Sequence, residues 1–145
     1  MIDASMARIM RIYTDGGSRG NPGPAASGAV LKWVEDGREG ETVEEVAKYL
    51  GHDTNNQAEY TAIIIGLKRA HELGADEAEL VMDSELACKQ LKGEYRVKNP
   101  EIAKRFLEVK NWMTRFSKVS VRHVLRAKNK EADAVVNRVL DQVTS

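Results

Sequence analysis

Hydrophobic and polar positions alternate from Arg8 to Thr14, with Ile12 and Thr14 opposed to Arg11 and Tyr13, and this predicts a strand ending at Asp15. The run Gly16-Gly17-Ser18-Arg19-Gly20-Asn21-Pro22-Gly23-Pro24 breaks the alternation. A second strand is expected from about Ala25 to Val34, a hairpin at Asp36-Gly37, and a third strand from about Gly40 to Leu50. The first third of the chain therefore reads as an antiparallel meander.

From there the period changes. Asn55 or Asn56 can cap a helix that runs to about Leu73, where Gly74 supplies the stop. Ala58, Thr61, Ala62, Ile65 and Ala70 give that helix a small-residue face suited to close packing on a sheet. Glu79 to Met82 is a short apolar strand ending at Asp83, and Ser84 to Leu91 a short helix. Asn99-Pro100 is a cap followed by a first-turn proline, opening a longer helix in which Ile102, Phe106, Val109, Met113 and Phe116 form a core stripe. Val119 to Leu125 alternates again, and Asn129 can cap a last helix striped by Ala132, Val136, Val139, Leu140 and Val143. The order β-β-β-α-β-α-α-β-α predicts an α/β fold: a mixed five-stranded sheet, three antiparallel strands then parallel ones, flanked by helices.

Composition narrows the class. A chain of 145 residues, 42% hydrophobic, can bury one real core, and residues 8–145 are read as a single domain after a short ragged extension over residues 1–7. No apolar run approaches the roughly 20 residues of a membrane span. The start lacks the pattern of a secretory signal and there is one cysteine, Cys88, so the expectation is a cytoplasmic protein with no disulfide. The net charge of zero hides an asymmetry: residues 1–83 carry 8 Lys/Arg against 15 Asp/Glu, and residues 84–126 carry 11 against 4. One region could meet a polyanion while another gathers carboxylates, although ordinary solvated surface would give the same count.

Two of those carboxylates, Asp15 and Asp83, follow strands that would be neighbours if they pair in parallel. Glu59 and Asp133 sit in the first turns of helices, where the helix dipole alone favours an acid. Four acids converging without basic partners would repel one another unless cations neutralised them. Oxygen-only ligands suit Mg²⁺ or Mn²⁺, and a pair of such ions is the usual arrangement for phosphodiester cleavage. Spacing in the sequence does not establish that the four converge.

The stretch Tyr13-Thr14-Asp15-Gly16-Gly17-Ser18-Arg19-Gly20-Asn21-Pro22-Gly23-Pro24 resembles the opening signature of ribonuclease H type 1. Thr54-Asn55-Asn56-Gln57-Ala58-Glu59-Tyr60 resembles that family's second motif, Met82-Asp83-Ser84 its third, and Asn129-Lys130-Glu131-Ala132-Asp133 its fourth. The motifs come in family order, from about Arg8 to Leu140. The resemblance implies an endoribonuclease that hydrolyses the RNA strand of RNA–DNA hybrids, leaving 5′-phosphate and 3′-hydroxyl ends. It implies that Asp15, Glu59, Asp83 and Asp133 are both the catalytic and the metal-holding residues, with two Mg²⁺ (Mn²⁺ as substitute) when substrate is bound. Gly16, Ser18, Asn21, Asn55, Asn56 and Gln57 would touch sugar hydroxyls and phosphates near the cut, and Thr54 a phosphate of the DNA strand. Each of these also has a purely structural use in turns and caps. The Lys/Arg excess, including Lys89, Lys92, Arg96, Lys98, Lys104 and Arg105, would add salt-sensitive affinity. The expected partner is the hybrid, with no membrane, no obligate protein partner, and a monomeric chain. The alternatives are a nuclease of the same fold acting on double-stranded RNA or another phosphodiester, and a non-cleaving hybrid binder.

The chain departs from the family in two places. Only Leu125-Arg126-Ala127-Lys128 separates the last strand from Asn129, so the histidine-bearing loop many members carry there is shortened. His123 alternates in register with Val119, Val121 and Leu125 and reads as a strand residue, leaving Arg126 or Lys128 to handle charge. Gly93 to Lys98 joins the two middle helices directly, so the basic protrusion of some members is missing.

Overall fold

The computed structural model describes residues 7–144; the expected N-terminal extension lies almost wholly outside them. The strands are β1 (Ile9–Ser18), β2 (Gly23–Glu35), β3 (Arg38–Asp53), β4 (Glu77–Met82) and β5 (Lys118–His123). The helices are α1 (Asn55–Glu72), α2 (Glu85–Leu91), α3 (Pro100–Met113) and α4 (Lys130–Thr144). The strands form one sheet in the order β3-β2-β1-β4-β5, antiparallel from β3 to β1 and parallel from β1 to β5. This is the predicted mixed sheet.

The pleat divides β1 between two cores. Met10 and Ile12 pack with Ile63, Leu67 and Val109 of the helices on one face. Tyr13 packs with Val30, Ala132 and Val135, and Ala26 with Val136 and Leu140, so α4 covers the other face. Glycines set how close the helices lie. A Cβ on Gly66 would fall 2.7 Å from Ile12 Cγ2, and one on Gly28 would fall 2.8 Å from Val135 Cγ1. No helix among the described residues is long and apolar enough to cross a membrane.

Several expected boundaries move. β1 does not end at Asp15: Gly16, Gly17 and Ser18 continue its pairing with β2, against Ser27, Ala26 and Ala25. Glycines lack side chains to reveal a strand period, but their backbone groups pair as any others do. β2 correspondingly starts at Gly23 and β3 runs on to Asp53. The cap of α1 is neither Asn55 nor Asn56 but Thr54, whose hydroxyl accepts from Gln57 N at 3.2 Å. Phe116 lies beyond the end of α3 yet is still buried in the core. β5 stops at His123, and Leu125 is exposed ahead of a 3-10 turn at Arg126–Lys128. Asn99 and Pro100 open α3 as expected, with Asn99 Oδ1 accepting from the amides of Glu101 and Ile102.

Candidate active site

Parallel pairing of β1 and β4 sets Thr14 beside Met82, so the residues that follow, Asp15 and Asp83, emerge next to each other at one sheet edge. α1 brings Glu59 to them because its first turn lies directly on Gly16. A Cβ there would sit 2.2 Å from Ala58 C and 2.3 Å from Glu59 N, so only glycine allows this approach. Ser27 Oγ reinforces the seating by donating to Ala58 O at 2.6 Å. On the opposite face α4 delivers Asp133. The four carboxylates line one cavity of about 450 Å³, together with Gly16, Gly17, Ser18, Asn55, Arg126 and Asn137.

The electrostatics of that cavity are those of crowded acids. Burial, then the charges of Asp83, Asp133 and Glu59, push the Asp15 carboxyl up to about 8. Burial also raises Glu59; the Ser84 hydroxyl works against this and Asp83 adds to it. Among the described residues the cation paired with one of these acids is Arg126, whose Nη2 lies 3.5 Å from Asp133 Oδ1 on a largely exposed side chain. Among the described residues no three Asp, Glu, His or Cys side chains already close on a common point. The donor set nonetheless fits a hard divalent cation in kind, being all oxygen, and positive charge between these acids would relieve the repulsion that raises Asp15.

Amide side chains hold the helix-borne acids. Asn55 Nδ2 donates to Glu59 Oε1 at 2.9 Å, and Asn137 Nδ2 to Asp133 Oδ2 at 3.2 Å; each amide is one helical turn from its acid. Asn55 is the hinge of the site, because its Oδ1 also accepts from Ser18 N at 3.1 Å and its backbone amide donates to Asn21 Oδ1. Asn129 stands at the expected cap position before α4, but its side chain is turned elsewhere. It is buried, its Nδ2 donates to Thr14 O at 2.9 Å, and its carbonyl accepts from Asp133 N at 3.2 Å. One residue thus ties β1 just before Asp15 to the helix turn that carries Asp133. Among the described residues, its Oδ1 and the hydroxyl of Ser18 are buried without a hydrogen-bond partner.

The expected substrate residues divide. Gly16 and Ser18 line the carboxylate cavity, while Asn21, Thr54, Asn56 and Gln57 line a neighbouring groove of about 650 Å³. Asn55 lines both. Arg96, Val97, Lys98 and Asn99 form the far wall of the groove, so the positive stretch of the sequence flanks it. His123 is exposed at the end of β5 and is not among the residues lining the carboxylate cavity. Sequence reasoning missed Asn137, which the four-residue spacing from Asp133 could have disclosed, and Gln90, which Tyr60 OH engages at 2.5 Å beside the groove. Nothing local in the sequence pointed to Gln90.

Comparison with known proteins identifies the family. A family model described as reverse transcriptase-like matches residues 13–139. The chain is 43% identical over 129 residues to Ribonuclease HI of Halobacterium salinarum, covering 89% of this chain and 63% of that protein. It superposes on the crystal structure of RNase H1 from the same organism with a TM-score of 0.86 at 42% identity, covering 92% of this chain and 98% of that one. The chain belongs to the ribonuclease H type 1 family. LC11-RNase H1, solved in complex with an RNA/DNA hybrid, matches with a TM-score of 0.84 at 38% identity, over 94% of this chain and 99% of that one. A bifunctional protein of Mycobacterium tuberculosis is 41% identical over 130 residues, 90% of this chain but 35% of its own length. The chain thus spans less than two thirds of the length of these curated relatives.

Proposed function

We propose that this chain is a metal-dependent endoribonuclease that hydrolyses the RNA strand of RNA–DNA hybrids to 5′-phosphate and 3′-hydroxyl ends. The observation that carries the reading is the union, at Asn55, of a four-carboxylate cavity with a groove lined by neutral amides and flanked by basic residues. Carboxylates alone would suit any phosphodiester. The amide groove adds donors and acceptors suited to a 2′-hydroxyl, the group that separates an RNA backbone from a DNA one.

Asp15, Glu59, Asp83 and Asp133 would hold two divalent cations, Mg²⁺ or Mn²⁺. When bound, such ions supply an activated water and neutralise charge on the departing oxygen. The chain's own residues do the rest. Asn55 and Asn137 keep Glu59 and Asp133 aimed by hydrogen bonds to one oxygen of each. Gly16 lets α1 bring Glu59 beside Asp15. Ser18, Asn21, Asn56 and Gln57 would contact ribose and phosphate on either side of the cut, and Thr54 a phosphate of the DNA strand. Arg126 stands where it can meet negative charge leaving the site, in the place of the shortened histidine loop. That a relative at 38% identity was solved with an RNA/DNA hybrid supports the substrate.

The test is labelled RNA offered as hybrid, as duplex RNA and as a single strand, with Mg²⁺, Mn²⁺ or EDTA. Cleavage of the hybrid alone, dependent on metal, is expected. Equal cleavage of duplex RNA would move the function to the wider substrate class, and no cleavage with either metal would refute it.

A further inference from the structure

Arg105 stands apart from the other basic residues of the second half of the chain. Its Nε donates to Oε1 of Gln57 at 3.0 Å, a half-buried contact between α3 and the first turn of α1. Gln57 lines the amide groove and Arg105 does not. A guanidinium has donors and no acceptor, so the atom it meets must be the amide oxygen, and the amide cannot turn over while that contact lasts.

The rest of Gln57 is pinned as well. Its backbone amide donates to Thr54 Oγ1 at 3.2 Å and its carbonyl accepts from Thr61 Oγ1 at 2.8 Å. Among the described residues its Nε2 has no hydrogen-bond partner, so the side chain offers that N–H₂ to the groove while Oε1 is turned to Arg105. We propose that Arg105 is a positioning residue that fixes Gln57 as an obligate hydrogen-bond donor to a ribose oxygen of the RNA strand. An unheld amide would offer donor and acceptor with equal ease; a held one leaves its N–H unmet when the sugar lacks a hydroxyl. The inference rests on the hybrid-cleaving reading above and names the group that makes one of its contacts selective.

The experiment compares wild type with Arg105→Met, Arg105→Lys and Gln57→Glu. Steady-state constants are measured on the hybrid, and binding is followed against salt in an Asp15→Asn background. Arg105→Met is expected to raise KM about five- to tenfold, the worth of one hydrogen bond, with kcat held. The slope of log Kd against log salt should stay as in wild type. Arg105→Lys keeps a donor against Oε1 and should stay within about twofold of wild type. Gln57→Glu gains an ion pair with Arg105, so its melting temperature should not fall, while KM rises because the donor is gone. A salt slope shallower by about 0.9 in Arg105→Met would make Arg105 a direct phosphate contact and overturn the inference. An unchanged KM in Arg105→Met or Gln57→Glu would overturn it too, as would an Arg105→Lys protein as impaired as Arg105→Met. If wild type itself neither binds nor cuts the hybrid, the hybrid-cleaving reading fails.

Discussion

Gly16 lies so close under Ala58 that a methyl group on it would fall 2.2 Å from the Ala58 carbonyl carbon. Strand and helix backbones touch here, and the contact sets the distance between Asp15 on the strand and Glu59 on the helix. Gly16→Ala must push α1 outward, because backbone atoms cannot rotate away as a side chain can. A loss of about 3 kcal/mol or more is expected from overpacking at backbone, with cleavage lost alongside. Urea unfolding followed by circular dichroism, paired with the hybrid assay, checks both; a variant of unaltered stability would contradict the contact.

Asn129 spans the other approach to the site, from Thr14 O to the first turn of α4. Asn129→Ala removes the side-chain donor to the buried Thr14 carbonyl of β1 and should cost about 1–3 kcal/mol. It also loosens Asp133 relative to Asp15. Half-saturation of activity should therefore shift to higher Mg²⁺ in a protein that still folds, and a metal titration of the soluble variant measures this directly.

Tyr60 OH donates to Gln90 Oε1 inside the core, and Gln90 Nε2 reaches Arg96 O at 3.4 Å in the link between α2 and α3. Tyr60→Phe keeps the ring and strands the amide oxygen, at a cost of about 1–3 kcal/mol. Because Gln90 and Arg96 both line the amide groove, hybrid KM should rise more than kcat falls. Equal stability of wild type and variant by thermal melting would show that the bond contributes nothing.

Glu39 joins three strands, accepting from Tyr13, Arg11 and Lys32, and Lys32 bridges onward to Glu131 at the start of α4. Burial opposes its charge, but those three hydrogen bonds prevail and hold its carboxyl below the ordinary value of 4.5. A group lowered in the folded state stabilises above its unfolded value and loses that contribution as pH falls through its folded value. Wild type should therefore be more stable than Glu39→Gln at pH 7, and the gap should close as the pH is taken below about 4.5. Urea midpoints from pH 3 to 7 test the sign; a gap that widens in acid would contradict it.

Most of the fold was legible because its signals are local. Alternation marks β1 and β5, Asp36-Gly37 marks the hairpin, and Asn99-Pro100 marks the start of α3. What sequence could not show depends on contacts far along the chain. Gly16 to Ser18 look like a loop until Ser27, Ala26 and Ala25 are set opposite them. Asn55 looks like a cap until Ser18 N and Glu59 are found on its two amide atoms, leaving Thr54 to cap. Asn129 stands at the cap position of α4, but its side chain reaches Thr14, 115 residues away. The four acids were visible singly; that they line one cavity follows from the parallel register of β1 with β4 and from the seating of α1 and α4.

On the proposed function, these four acids cut a hybrid with the help of bound metal. Asp15 is pushed upward by burial and by the charges of the other three. The most direct measurement is hybrid binding and cleavage by Asp15→Asn beside wild type in Mg²⁺. The proposed function requires binding within a few-fold of wild type, an intact fold by circular dichroism, and cleavage below about a thousandth of the wild-type rate, as expected when a ligand of a catalytic metal is lost. Undiminished cleavage by Asp15→Asn would contradict it.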